Sequence, residues 1–241
     1  MVRIFAHRGF SGMYPENTML SFSKAVEAKV DGIELDIHFS KDGEIMIQHD
    51  EAMRRTSGLD GFIFDYTRSE LEKINAGSLF DNRFGFTPIP SFEEYLDFIK
   101  DKKIVTNIEL KTAPVYYDGI EEKAVDMVCR AGLENSVIFS SFNWLSIVRL
   151  HKIAPELPVA LLIDQRLYNM GPLFKREGIS YFHPSYGTID IDSVKDMRSN
   201  GVGINVWTVN DEADIITALN LKVDGIITNY PDRVRRLAKD I

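Results

Sequence analysis

The chain has 241 residues, and its 28 lysines and arginines against 36 aspartates and glutamates give a formal net charge of −8. With 44% hydrophobic and 27% charged residues, the composition is that of a globular protein and excludes a disordered or collagen-like chain. The acidic balance argues against a general nucleic-acid-binding surface or one for anionic membranes. The single cysteine, Cys129, excludes an internal disulfide framework and a four-cysteine zinc site.

The opening residues, MVRIFAHRG, contain no cationic region followed by an apolar stretch and a cleavage site, so no signal peptide is expected. No apolar run approaches the roughly 20 residues that span a bilayer, so membrane insertion is not expected either. We therefore predict a cytoplasmic location.

Short β-rich runs alternate with segments of helical period along the chain, which favours an α/β protein with a parallel sheet. The eight candidate strands are Val2–His7, Gly32–Phe39, Ile104–Leu110, Val137–Phe142, Val159–Ile163, Tyr181–Pro184, Ile204–Val209 and Gly225–Thr228. A ninth run, Glu44–His49, follows an Asp-Gly pair, which is a hairpin signal. We interpret this run as the return arm of a hairpin that extends the second strand.

Helical segments fall between these strands. Met19, Phe22 and Val26 share one face of a helix in the first of them. Ser91 and Glu94 have the spacing of a capping box and precede an apolar stripe, so we expect a helix to begin there.

Eight strands alternating with helices over this length predict a TIM (β/α)8 barrel, formed by a single domain over residues 1–241. An open, doubly wound sheet is the alternative. Residues 51–90 interrupt the alternation after the second-strand hairpin and are predicted to be a small insertion. Such a segment is more often functional than filler, and its aromatic residues predict either a small satellite core or a cover over the site.

The polar residues of two predicted strands fall on one face. Glu34, Asp36 and His38 alternate with apolar residues, as do Glu109 and Lys111. Because the apolar face of a barrel strand packs on helices, the charged face points to the interior near the carboxyl-end mouth, where barrel enzymes place their sites. Three carboxylates converging there would repel one another without a cation. We therefore predict a site for one hard divalent cation, Mg²⁺ or Ca²⁺, with Mn²⁺ as a further candidate.

Two histidines, His7 and His49, flank this predicted metal site. Cleavage of a phosphodiester needs a base on the attacking oxygen and an acid on the leaving oxygen, and histidine can serve as either near neutral pH. Arg8, Lys111 and the cation would hold the phosphate anion. These groups together indicate a metal-dependent phosphodiesterase with an acid and a base.

Trp207 lies near the carboxyl end of a predicted strand, on the face of Gly203 and Asn205. It is either part of the barrel core or an apolar wall for the glycerol or alcohol part of a substrate. We favour the wall.

The ordered motifs resemble the glycerophosphodiester phosphodiesterase family over essentially the whole chain. They are HRG at 7–9, PENT at 15–18, GIELDIHFSKDGEIMIQHD at 32–50, ELK at 109–111, VWTVN at 206–210 and DGIITNYPD at 224–232. The resemblance implies a TIM barrel with an insertion after the histidine-aspartate motif. It also implies hydrolysis of deacylated phospholipid head groups, which are small-molecule glycerophosphodiesters, to sn-glycerol 3-phosphate and an alcohol.

The resemblance further implies His7 and His49 as the acid–base pair and Glu34, Asp36 and Glu109 as metal ligands. Arg8 and Lys111 become phosphate contacts. The head-group alcohol, the choice between Mg²⁺ and Ca²⁺, the oligomeric state and the division of acid and base roles stay open.

Two alternatives to this function remain. One is a lysophospholipase D-type activity, which would need a membrane-facing apolar surface. The other is a catalytically silent binding module on the same fold, against which the complete set of histidines and carboxylates argues. Within the favoured reaction, water could attack phosphorus directly, or the glycerol 2-hydroxyl could attack first to give a cyclic phosphate, which its proximity favours.

Overall fold

The computed structural model describes residues 2–113 and 115–239, and its centre is a closed barrel of eight parallel strands. The strands are β1 Arg3–His7, β2 Gly32–Phe39, β3 Ile45–Ile47, β4 Val105–Leu110, β5 Val137–Ser141, β6 Val159–Ile163, β7 Tyr181–Pro184, β8 Gly203–Val206 and β9 Gly225–Thr228. All except β3 are parallel neighbours around the barrel, and the pairing of β1 with both β2 and β9 closes it. The predicted TIM barrel is confirmed, and the open-sheet alternative is wrong.

Helices connect consecutive barrel strands. They are α1 Met19–Glu27, α2 Arg54–Ser57, α3 Arg68–Leu71, α4 Phe92–Ile99, α5 Ile120–Arg130, α6 Trp144–Ile153, α7 Gly171–Arg176, α8 Ile191–Ser199, α9 Glu212–Asn220 and α10 Pro231–Leu237. Parallel strands need such crossovers, and the helices cover the outer face of the sheet. Ile33, Leu35 and Ile37 of β2 are fully buried on that face, as their alternation with charged residues predicts.

Strand β3 pairs antiparallel with the end of β2, with Ile37 opposite Ile47 and Phe39 opposite Ile45. The predicted hairpin is therefore present, and Gly43 takes the positive φ of 77° that its turn requires. The hairpin matters for the site because it returns the chain to the barrel mouth at His49.

The barrel interior is divided along its axis. Its lower part is filled by a compact apolar cluster of Phe5, Ile138, Ala160 and Ile227. Above this cluster, the inward positions of β1, β2 and β4 become polar, with His7 opposite Glu34 and Asp36 opposite Glu109. The packed floor fixes the strands, so the polar side chains at the mouth are held by rigid elements.

Residues 51–90 fold outside the barrel as short helical pieces, including α2 and α3. Met46, Met53, Ile63, Leu71, Ala76 and Ile89 form a separate buried cluster beneath them. A satellite core is therefore present, but it is aliphatic and sulfur-containing, whereas the aromatic side chains of Phe62, Phe80 and Phe86 are exposed.

Two local expectations differ from the structure. The seventh barrel strand, β8, ends at Val206 rather than Val209, although Trp207 N still donates to Pro184 O and Val209 N to Ile227 O. The Ser91 side chain accepts a hydrogen bond from Glu94 N and caps α4, but within the described residues Glu94 does not make the return bond of a full capping box.

The loop between β1 and α1 is fastened by a capping box. Thr18 Oγ1 accepts from Ser21 N at 3.2 Å, and Ser21 Oγ accepts from Thr18 N at 3.3 Å. We expect Thr18→Ala to lower the free energy of unfolding by about 1 kcal/mol, since an orphaned helix N–H loses its acceptor. Urea unfolding would measure this, and Thr18→Ser, which keeps the hydroxyl, is the control. Equal stability of the alanine and serine variants would contradict the role of the cap.

Candidate active site

The sequence-predicted site residues meet at the carboxyl-end mouth of the barrel. A cavity of about 100 Å³ is lined by His7, Arg8, Glu34, His49, Asn107, Glu109, Phe142, Leu162, Trp207, Thr208 and Ile227. Asp36 and Lys111 adjoin this cavity through Arg8 and Glu109. The structure thus brings all eight candidate residues into one neighbourhood.

Three buried carboxylates form the acidic centre of this site. Each of Glu34, Asp36 and Glu109 offers an oxygen, and these oxygens lie within 4.8 Å of one another. Glu34 and Asp36 are two positions apart on β2 and therefore share a face of the strand. Glu109 on β4 lies opposite Asp36 in the register of the two strands. Glu34 Oε1 and Asp36 Oδ1 are buried and find no hydrogen-bond donor among the described residues.

The pKa values of the three carboxyl groups are shifted in different directions. Burial, together with the charges of Asp36 and Glu109, raises the pKa of Glu34 well above its usual range. Burial also raises the pKa of Glu109. Burial alone would raise the pKa of Asp36, but Lys111 and Arg8 hold it well below its ordinary value. Orphaned oxygens and mutual repulsion fit a bound hard cation, for which carboxylate oxygens are the preferred ligands.

Two cations lie against the carboxylates. Arg8 Nε is 3.4 Å from Asp36 Oδ2, and Lys111 Nζ is 2.8 Å from Glu109 Oε1 and 3.6 Å from Asp36 Oδ1. If the cluster were only a structural set of ion pairs, each carboxylate oxygen would have a partner. Because Glu34 Oε1 has no such partner among the described residues, the cations do not complete the cluster.

The backbone at Arg8 is bent to serve this centre. Arg8 has a φ of 54°, which a non-glycine residue rarely adopts, and its N–H donates to Glu34 Oε2 at 2.8 Å. Gly9 follows at a φ of 77°, and a Cβ there would come within 2.4 Å of Ser21 Oγ. The HRG motif therefore places an arginine and a backbone donor over the acidic cluster, in a turn that requires glycine.

His7 ends β1 and faces the cavity. Its Nδ1 donates to Asn229 Oδ1 at 2.6 Å, and its Nε2 lies 3.9 Å from Glu34 Oε2. Burial and the neighbouring Arg8 lower the pKa of His7 to about 3. The imidazole is thus neutral, with Nε2 as its free acceptor.

His49 reaches the same cavity from the hairpin. Its Nδ1 donates to Asp50 Oδ1 at 2.5 Å, while Asp50 Oδ2 binds Arg55. His38, fully buried one position beyond Asp36 on the inner face, contacts the carbonyl oxygen of His49 through Nε2 at 3.0 Å. His38 thus supports the neighbouring segment and is not part of the acidic cluster, although it shares the polar face of β2.

Aromatic side chains form the wall opposite the histidines. The rings of Trp207 and Phe142 meet edge to face with centroids 5.4 Å apart. Trp207 Nε1 donates to the carbonyl oxygen of His183 at 2.7 Å, which fixes the indole although it lies beyond the end of β8. Trp207 also packs on the interior cluster, so the core and wall interpretations both describe part of its surroundings.

Sequence reasoning did not single out three residues that support the site. Asn229 holds His7, and Asn107 lines the cavity with both amide atoms unpartnered among the described residues. Arg55 joins the insertion to the mouth through Glu16 and Asp50. Asn229 lies inside the DGIITNYPD motif, and Asn107 lies two positions before Glu109 on the same strand face. The sequence therefore offered grounds to select both as candidate site residues.

A barrel mouth with paired imidazoles, guanidinium and ammonium groups and a buried carboxylate cluster has the groups that hydrolysis of an anionic ester requires. Comparison with known proteins gives the family. Residues 7–233 match the glycerophosphoryl diester phosphodiesterase family. A glycerophosphodiester phosphodiesterase of Caldanaerobacter subterraneus is 38% identical over 98% of this chain and 97% of its own. One from Bacillus altitudinis is 36% identical over 100% of both chains.

A solved structure agrees with the sequence relatives. The Oleispira antarctica phosphodiesterase in complex with the product sn-glycerol-3-phosphate superposes with a TM-score of 0.88 at 26% identity, covering 98% of this chain and 96% of that one. The chain belongs to the glycerophosphoryl diester phosphodiesterase family and is a hydrolase of phosphoric diesters. Within residues 2–113 and 115–239, every helix is too short or too polar to cross a bilayer.

Proposed function

We propose that this chain hydrolyses glycerophosphodiesters to sn-glycerol 3-phosphate and an alcohol, with one divalent cation and a pair of histidines. The observation that carries the proposal is the meeting of His7, His49 and the carboxylate cluster in one cavity. The names of the relatives and the product in the Oleispira structure support the same substrate class.

Glu34, Asp36 and Glu109 would hold the cation, Mg²⁺ or Ca²⁺. When bound, the cation would supply positive charge to a phosphate oxygen and stabilise the charge that grows there. Arg8 and Lys111 would bind the remaining phosphate oxygens, since both side chains lie at the edge of the cluster and are largely screened from water.

The two histidines would carry the protons. Each ring is held through Nδ1, His7 by Asn229 and His49 by Asp50, which leaves Nε2 of each for a proton on a reacting oxygen. One ring would take the proton from the attacking hydroxyl, of water or of the glycerol 2-position, and the other would protonate the leaving alcohol. Trp207 would form the apolar wall for the glycerol.

The organisation of the chain enters the proposal as well. We propose that residues 1–241 act as one barrel domain and that residues 51–90 are an insertion fastened to the mouth by Arg55. The described linings of the mouth cavities include Glu51 but no residue between Ala52 and Pro90, which favours the satellite core over a cover. The cytoplasmic location stays a prediction.

One observation keeps lysophospholipase D-type activity as a second candidate. Large apolar side chains are exposed in segments that follow four barrel strands: Met13 after β1, Tyr116 after β4, Leu145 after β5 and Tyr168 after β6. Tyr168 is 91% exposed. Exposed apolar side chains in these segments would offer contacts to a lipid tail or aggregate.

Release of sn-glycerol 3-phosphate from glycerophosphodiesters, with excess chelator and then with Mg²⁺ or Ca²⁺ restored, tests the favoured function. We expect release only with a cation present, since the negative charges of the three carboxylates are not compensated without one. Lysophosphatidylcholine in parallel tests the second candidate. Release of choline from the lysolipid but of no sn-glycerol 3-phosphate from any diester would replace the first function by the second. A folded protein that acts on neither would contradict both.

A further inference from the structure

A second cavity lies beside the one already described. It has a volume of about 220 Å³ and is lined by His49, Asp50, Glu51, Glu109, Leu110, Lys111, Ala113 and Phe142. It shares His49, Glu109 and Phe142 with the inner cavity of about 100 Å³. The two cavities therefore meet at a wall that carries one of the proposed acid–base histidines and one of the cluster carboxylates.

A phosphodiester has two substituents, and an in-line displacement places the attacking and leaving oxygens on opposite sides of phosphorus. With phosphorus at the shared wall, one substituent enters each cavity. The inner cavity is smaller and contains the buried, unpartnered amide of Asn107, which suits the hydroxyl groups of glycerol. The outer, larger cavity is then left for the alcohol.

The charged side chains that line the outer cavity differ in whether they already bind a partner. Asp50 binds His49 and Arg55, each at 2.5 Å, and Lys111 binds Glu109 at 2.8 Å. Glu51 is different, because no described side chain lies within hydrogen-bond or ion-pair reach of its carboxylate. Glu51 follows His49 and Asp50 directly in the chain and lines the outer cavity together with them.

The ring of Phe142 stands in the same cavity and is 38% exposed. An aromatic face together with an unpaired carboxylate is a combination that attracts ammonium groups, by the ring quadrupole and by charge. An uncharged polyol would gain neither interaction.

From this arrangement we propose that the outer cavity is the alcohol subsite and that Glu51 determines specificity there, selecting head groups that carry an ammonium group. The inference rests on the proposed glycerophosphodiesterase function and names its substrate class. Glu51 is a substrate-contacting residue in this scheme and takes no part in proton transfer.

The test compares two diesters that differ in the charge of the alcohol, glycerophosphoethanolamine and glycerophosphoglycerol. The kcat/KM of each is measured as release of sn-glycerol 3-phosphate for the wild type, Glu51→Gln and Glu122→Gln. The matched control, Glu122, is an exposed carboxylate on α5 that lines neither cavity. Circular dichroism and thermal unfolding establish that the variants are folded.

We expect the wild type to prefer glycerophosphoethanolamine. Glu51→Gln should lower kcat/KM for that substrate by about 3- to 10-fold, the range of one partly exposed ion pair, and should leave glycerophosphoglycerol within about twofold. Glu122→Gln should leave both values unchanged. Added salt should narrow the preference of the wild type but not that of Glu51→Gln.

Equal losses on both substrates, or no change in their ratio, would overturn the role of Glu51 while leaving the proposed function intact. Absence of release from both diesters by the folded wild type would overturn the function, and the subsite with it.

Discussion

We expect His7→Ala and His49→Ala each to lower kcat by about 10²–10⁴-fold, the contribution of a positioned proton donor or acceptor. Both side chains line the inner cavity, and each has its Nδ1 occupied by a fixed acceptor. Alanine removes Nε2 from the reacting oxygen and leaves no nearby group in its place. Steady-state release of sn-glycerol 3-phosphate would measure the loss.

Two further measurements separate proton transfer from damage to the site. The double variant should lose less than the product of the two single losses, because the residues act in one reaction. His151→Ala, on the outer helix α6, is the matched control and should keep its activity. A cation-induced rise in the unfolding temperature should persist in His7→Ala and His49→Ala. Wild-type kcat in either variant would remove that histidine from the chemistry.

The second large effect is expected from Glu34→Gln. This substitution removes one of three converging charges but keeps an oxygen that can accept from Arg8 N. We expect kcat/KM to fall by at least about 10²-fold, because a bound metal contributes several kcal/mol to charge stabilisation. Activity in the presence of saturating Mg²⁺ or Ca²⁺ is the first measurement.

Thermal unfolding is the second measurement and does not depend on turnover. The wild type, stripped by chelator, should unfold at a higher temperature as Mg²⁺ or Ca²⁺ is added, since a ligand of the folded state stabilises it. Glu34→Gln should show a much smaller rise, yet without metal it should be at least as stable as the wild type, because repulsion is relieved. Glu44→Gln, on the hairpin, is the control. An unchanged rise in Glu34→Gln would contradict the cation site.

The fold could be read from sequence because its signals are local. The buried strands bear β-rich apolar runs, and the charged face of β2 follows from strict alternation, so the sequence alone predicts that Glu34 and Asp36 lie inside the barrel. The hairpin was visible from one Asp-Gly pair. These patterns depend on neighbours a few residues apart, which a sequence displays directly.

The missed parts of the site depend on distant contacts. His7 and Asn229 are separated by 222 positions, and only closure of the barrel brings them together. Arg55 contacts Glu16 across 39 positions from an irregular segment with no period to follow. The position of the Trp207 indole likewise depends on a distant contact, with the carbonyl oxygen of His183, 24 positions earlier on the neighbouring strand.

The bond between His7 and Asn229 also concerns how the protein is made. β1 is synthesised before β9, yet it pairs with β9, and its histidine is held by a residue just after that strand. Gly12 N donates to the carbonyl oxygen of the same Asn229, so the loop that follows His7 also lacks this contact until Asn229 has been synthesised. A nascent chain that ends before Asn229 lacks the hydrogen bonds to both His7 and Gly12. The proposed acid–base pair is therefore complete only after Asn229 has been synthesised and the barrel has closed.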